Sequence, residues 1–196
     1  MQTGTQLFNA SAVAGNFSLI GNPFASPIDF NTITRDNVLK RFYAWDPNLN
    51  LVGGYVVLDD LDDDGEFTSS VADNPQTKEI LSHQAFFVET IADGPASLTI
   101  EESDKSDGSS YLLSRPAKPA SVISRLNINL YLINADKSTV MADGLKAEFG
   151  SSYTNDVNAQ DAIKFSNVNE TFGLMRNGKF LAIERRQPLV MDDTLY

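Results

Sequence analysis

The residues whose types and spacing best suit chemistry are the carboxylates of Asp59-Asp60-Leu61-Asp62-Asp63-Asp64-Gly65-Glu66. Counted from Asp60, carboxylates stand at loop positions 1, 3 and 5 and glycine at 6, the front half of an EF-hand-type calcium loop. Alternate spacing turns those side chains into one concavity, and the glycine allows the sharp turn. Asp60, Asp62, Asp64 and Glu66 are therefore the candidate metal ligands, and a structural calcium ion is the one cofactor the sequence suggests. The back half departs from the pattern. Position 12 is Val71 instead of a bidentate glutamate, so Asp73 or water would have to complete the shell. The other reading is a solvated acidic hairpin loop between Val57 and Phe67.

Nucleophilic catalysis has little material to work with. His83 is the only histidine, and its neighbour Ser82 would point to the opposite face if both lay on a strand. No nucleophile elbow, phosphate-cradling glycine loop or HExxH helix is present. The 26 acidic residues offer too many carboxylate pairs for any one to mark a glycosidase. No catalytic residue is assigned, and His83 reads as a strand-entry residue. Lys164, close to Asp161, is the place to look for a lysine–aspartate crosslink of the kind found in some surface adhesins, which needs a buried trio. In Phe42-Tyr43-Ala44-Trp45, Tyr43 and Trp45 share a strand face. They would form the stacking platform if the chain binds glycans, although Tyr55, Phe86 and Phe87 in neighbouring strands favour a core role.

These residues have to be positioned by strands, because period-two alternation recurs along the chain. It predicts strands at Asn16 to Ile20, Arg41 to Trp45, Gly54 to Leu58, Ala85 to Thr90, Ser97 to Glu101, Arg125 to Ile133, Thr139 to Ala142, Thr171 to Met175 and Lys179 to Glu184. In the sixth, Leu126, Ile128, Leu130 and Leu132 form a face expected to be buried, with Asn127, Asn129 and Tyr131 wet. Turns are expected at Asp46-Pro47-Asn48, Asp93-Gly94-Pro95, Asp107-Gly108, Asp143-Gly144 and, most strongly, Asn177-Gly178. Asn31 to Lys40 and Asn158 to Phe165 are expected as short helices. The class is all-β, an antiparallel β-sandwich of jelly-roll or Ig-like type. Ser114-Arg115-Pro116-Ala117-Lys118-Pro119-Ala120-Ser121 reads as a linker between a sandwich over 1–115 and a second β unit over 122–196; one large sandwich over 1–196 is the alternative.

Composition narrows the partners. A net charge of -11 argues against nucleic acid and anionic membranes, and leaves calcium and cationic surfaces as permitted partners. There is no cysteine, hence no disulfide and no thiolate metal site. No run approaches the roughly 18 apolar residues of a membrane helix, so no membrane insertion is expected. The first residues lack the basic start and apolar stretch of a signal peptide.

Three segments stand in a recognisable order. They are Asn16-Phe17-Ser18-Leu19-Ile20-Gly21-Asn22-Pro23-Phe24-Ala25-Ser26-Pro27-Ile28-Asp29, then Phe42 to Pro47 with Gly53-Gly54-Tyr55-Val56-Val57, then Ser82-His83-Gln84-Ala85-Phe86-Phe87-Val88. Together they resemble the GNPYPSxIDW, WDP, GxYxxY and GQAFFV pattern of large secreted and cell-surface proteins of Bacteroidota, commonly exported by the type IX secretion system. Leu126 to Leu130 and Asp161-Ala162-Ile163-Lys164 resemble later segments of the same proteins. Phe24, Ala25 and Phe30 replace Tyr, Pro and Trp of that pattern, and His83 replaces a glycine, which argues against a left-handed turn there. The resemblance implies β-rich surface architecture and supplies no catalytic residues. It also implies that both termini are cut from something longer, exposing an edge that a neighbouring strand would complete.

The expected function is a non-catalytic structural or adhesive module of an exported bacterial surface protein, secreted or on the outer surface. Its expected partners are further domains of that protein or copies of itself. The alternatives are a carbohydrate-binding module of a secreted hydrolase, with glycans as partner, and a donor-strand-type filament subunit.

Overall fold

The computed structural model describes residues 4–106, 123–191 and 193–195. The expected linker at Ser114 to Ser121 and the turn at Asp107-Gly108 lie outside them. The chain is nearly all β. Its strands are β1 (Gln6–Asn9), β2 (Phe17–Gly21), β3 (Ile28–Asp29), β4 (Thr34–Asp36), β5 (Val38–Asp46), β6 (Gly54–Asp59), β7 (Thr68–Ser69), β8 (Glu79–Ile80), β9 (Ala85–Thr90), β10 (Ser97–Ile100), β11 (Ser124–Ile133), β12 (Thr139–Phe149), β13 (Ala162–Ile163), β14 (Leu174–Arg176) and β15 (Lys179–Arg186).

Two compact units divide the chain, and each is discontinuous in sequence. One takes Met1–Ala44, Leu58–Thr68 and Pro75–Arg115; the other takes Trp45–Val57, Ser69–Asn74 and Pro116–Tyr196. Strands β5 and β6 carry the chain from one to the other.

In the first unit β9 lies between β2 and β5, antiparallel to both. Because Ala44 pairs with Phe86 and Phe42 with Val88, these four side chains share one face, and all four are buried. Phe30, just after β3, packs its ring on Phe42, Phe67 and Phe86 at centroid distances of 4.8, 5.8 and 5.7 Å. Separate ladders join β10 to β1 and β4, and β3 to β8.

The turn after β2 is fastened by one side chain. Asn22 Nδ2 donates to the carbonyls of Ser26, Ile80 and Leu81, and its Oδ1 accepts from the Phe24 amide at 2.9 Å. Gly21 keeps an ordinary φ with open space at its Cα, so this turn does not draw on left-handed freedom.

In the second unit the sheet order is β11-β12-β15-β13, with β14 also on β15. Pairing of β12 with β15 is parallel, an exception to the antiparallel pattern. Leu145, Ala147, Phe149, Leu174 and Leu181 form the core, with Val157, Ile163, Phe172 and Leu195 packed on it. The hairpin at Asn177-Gly178 forms as expected, with φ of 47° and 75° between β14 and β15.

Several local expectations are corrected. Asn31 to Lys40 is not helical: β-branched Thr32, Ile33 and Thr34 favour extension, and Asn37 at φ 55° breaks the run. Asn158 to Phe165 is a turn followed by β13, because Asn158 and Asp161 accept backbone N–H groups from Gln160 and Asn158 and compete with a helix. No turn forms at Asp143-Gly144. There β12 runs on to Phe149, with a bulge where the register skips Ala142 opposite Leu130 and Tyr131. Finally, Leu126 and Ile128 are each 38% exposed, since β11 is the edge strand and only β12 pairs with it among the described residues.

Candidate functional site

The acidic segment forms the connection between β6 and β7. Asp60, Asp62 and Asp64 each bring a carboxylate oxygen within 4.8 Å of the others; Glu66 is not part of that group. Gly65 takes φ +84° and Asp63 φ 54°, which makes the reversal. Asp60 is buried, its Oδ1 accepting from the Asp64 amide at 2.9 Å and its Oδ2 from the Gly65 amide at 2.8 Å. The Lys40 ammonium, delivered by β5, lies 2.8 Å from Asp60 Oδ2 and pairs with Asp63 as well. Burial pushes the Asp60 carboxyl up, but the Lys40 bond and the two amides outweigh it and hold it below the usual carboxylate range. Burial lowers Lys40 too, and its bonds to Asp60 and Asp63 turn the net shift upward.

The arrangement is thus an oxygen-rich turn that already contains a cation of its own. Hard oxygen donors fit calcium chemically, but an ion would share Asp60 with Lys40. Val71, at the position of the missing glutamate, is wholly buried.

Ser82 and His83 do meet. Both sit in a turn before β9, where Ser82 Oγ lies 2.7 Å from His83 Nδ1 and 3.2 Å from the Phe24 carbonyl. The expectation of opposite faces assumed a strand, and His83 at φ 62° is left-handed. The expectation against such a turn at this position is overturned with it. Among the described residues no hydrogen bond or ion pair joins His83 to a carboxylate, so nothing orients the imidazole as an aspartate would.

Of the two proposed stacking aromatics, Tyr43 is wholly buried, edge-on to Phe17 at 5.1 Å, and burial pushes its phenol far above the usual range. It offers no face to a sugar. Trp45 is half-buried. Gly53 lies against its ring so closely that a Cβ there would meet ring atoms at 2.5 Å. Tyr55 packs edge-on to Trp45 at 5.0 Å and to Phe165 at 5.3 Å. Tyr55 and Phe165 therefore join Trp45 in a half-exposed ladder the sequence did not assemble. Tyr55 was legible as a neighbour in the next strand; Phe165 carried no local signal.

Sequence reasoning also missed the buried charges. Arg41 is 0% exposed, with Nε 3.2 Å from Asp59 and Nη1 3.4 Å from Glu89. Arg185 Nε lies 2.7 Å from Glu148, and Arg176 Nε 3.1 Å from Glu184, whose carboxyl burial raises. Lys164 pairs with Asp143 instead of the adjacent Asp161, whose carboxylate accepts from the Arg185 and Asn158 amides. Polar residues at inward strand positions were the only signal. The chain matches no family model, no curated protein and no solved structure.

Proposed function

We propose that this chain is a non-catalytic structural or adhesive module of an exported bacterial surface protein, working in surface assembly or adhesion. The observation that carries the reading is where its charged groups are used. Arg41 with Asp59 and Glu89, Lys164 with Asp143, and Arg185 with Glu148 all join strands inside the two units. Such chemistry fixes strand register and serves rigidity. The ordered resemblance to Bacteroidota surface proteins supports the location. The test is protease shaving of intact source cells with peptide mass detection. Release of this chain's peptides from unlysed cells is expected; their recovery solely from the cytosolic fraction overturns the reading.

A second reading, glycan binding, is favoured by the half-exposed ladder of Trp45, Tyr55 and Phe165. Aromatic rings recognise the apolar faces of sugars. Glycan-array binding that disappears in Trp45→Ala and Tyr55→Ala, with the circular dichroism spectrum unchanged, would select it.

A further inference from the structure

We propose that Lys164 and Asp143 condense into an intramolecular isopeptide bond that clamps β12 to the end of β13. The two side chains are 1% and 0% exposed and form an ion pair. Lys164 Nζ also lies 3.3 Å from the Gly144 carbonyl. The carboxyl of Asp143 is fixed on both oxygens: Oδ1 accepts from the Gly144 amide at 2.8 Å and Oδ2 from the Phe172 amide at 2.7 Å. The bulge beside Asp143 sends its side chain inward, the re-aiming that bulges commonly produce.

The backbone N–H groups of Gly144 and Phe172 stand here where a buried trio would have its third side chain, and three physical conditions for amide formation are met. The nitrogen and the carboxyl group are held in contact within the fold, so no bimolecular encounter is needed. The two backbone N–H groups point at the oxygens on which charge develops in a tetrahedral intermediate. The surrounding interior disfavours separated charges, so proton transfer from ammonium to carboxylate, giving amine and carboxylic acid, is easier than in water. Burial outweighs the attraction of Asp143 and lowers Lys164 from its ordinary value, which favours the nucleophilic amine.

The step balances without a co-reactant. Lys164 gives one proton to Asp143, and its lone pair attacks Cγ to form the C–N bond. A second amine proton passes to the departing oxygen, and the C–O bond breaks to release one water. The product is a neutral secondary amide in place of a buried ion pair.

The test is intact mass of the folded, then denatured, full chain, followed by proteolysis. A mass lower than the sequence mass by one water is expected, together with a branched peptide joining residue 143 to residue 164. Lys164→Arg preserves a positive charge but lacks the amine, and should show the full mass and faster proteolysis. Asp143→Asn should condense with loss of ammonia and give the same final mass as the wild type. Full sequence mass in wild type after prolonged incubation at neutral pH, with Lys164 cleavable by trypsin, overturns the proposal. A water loss that survives in Lys164→Arg also overturns it, since it marks an imide formed by the Gly144 amide on Asp143.

Discussion

Asn22 Nδ2 donates to the carbonyl of Ile80 at 3.1 Å, joining residues 58 positions apart in the sequence. One buried amide thus fastens the turn after β2 to the end of β8. Asn22→Ala leaves the carbonyls of Ile80 and Leu81 and the Phe24 amide without this partner, and buried polar groups cost about 1–3 kcal/mol each when left unsatisfied. The expected loss is about 2–4 kcal/mol, read from urea unfolding. Gly21→Ala, next to it, should be close to neutral because its φ is ordinary and the space is open. An unchanged urea midpoint in Asn22→Ala would show that the turn holds without it.

His83→Gly should stabilise the protein. A left-handed residue with a side chain costs roughly 1–2 kcal/mol, of which glycine returns about 0.5–1 through its freer unfolded chain. A net gain of about 0.5–1 kcal/mol should raise the denaturant midpoint at constant slope. A lower midpoint would mean that the Ser82 contact outweighs the backbone strain.

Arg41→Met should cost about 3–5 kcal/mol, because it strands Asp59 and Glu89 without their buried partner. Glu102→Gln, which removes the charge from the exposed side of the pair with Lys105 and leaves Lys105 over the Phe24 ring, should leave thermal unfolding unchanged within error. Equal effects of the two substitutions would refute the claim that burial sets the difference.

The Asp60–Lys40 pair should stabilise over a window with two edges. Asp60 titrates lower in the folded chain, so its contribution is present above its unfolded value of about pH 3.9 and is lost as pH falls through the folded value. Lys40 titrates higher when folded; its contribution is present below about pH 10.4 and lost as pH rises through the folded value. Asp60→Asn should flatten both edges in thermal scans. Lys40→Gln removes the resident cation, so millimolar calcium should raise its melting temperature more than that of wild type. Equal calcium responses would separate the ammonium from any cation binding at the loop.

The strands were the most legible part of the sequence, because alternation reports burial directly: Ala85 to Thr90 matches β9 residue for residue. The Asn177-Gly178 hairpin was legible because its geometry is local. What alternation could not convey is which faces find a partner. Leu126 and Ile128 alternate as core residues do, yet they stay partly exposed at an edge. Asp143-Gly144 has turn composition, but glycine is there for close approach: a Cβ would stand 2.7 Å from Asn129 Oδ1 and 3.1 Å from the Val71 backbone. The Lys164–Asp143 pair joins residues 21 positions apart through a fold no local window contains. At the acidic loop, the sequence showed four candidate carboxylates and missed the lysine from another strand that pairs with Asp60.

The interleaving of the two units imposes an order on biosynthesis. Trp45–Val57 and Ser69–Asn74 leave the ribosome before Pro116–Tyr196, the segment they belong with. The Asn50 amide finds the Met141 carbonyl, and the Tyr55 amide finds Asn167, only after most of the chain has been made. Until then these early segments wait without their final partners. A fragment over 116–196 lacks them altogether, so it carries the later-made unit without two of its segments.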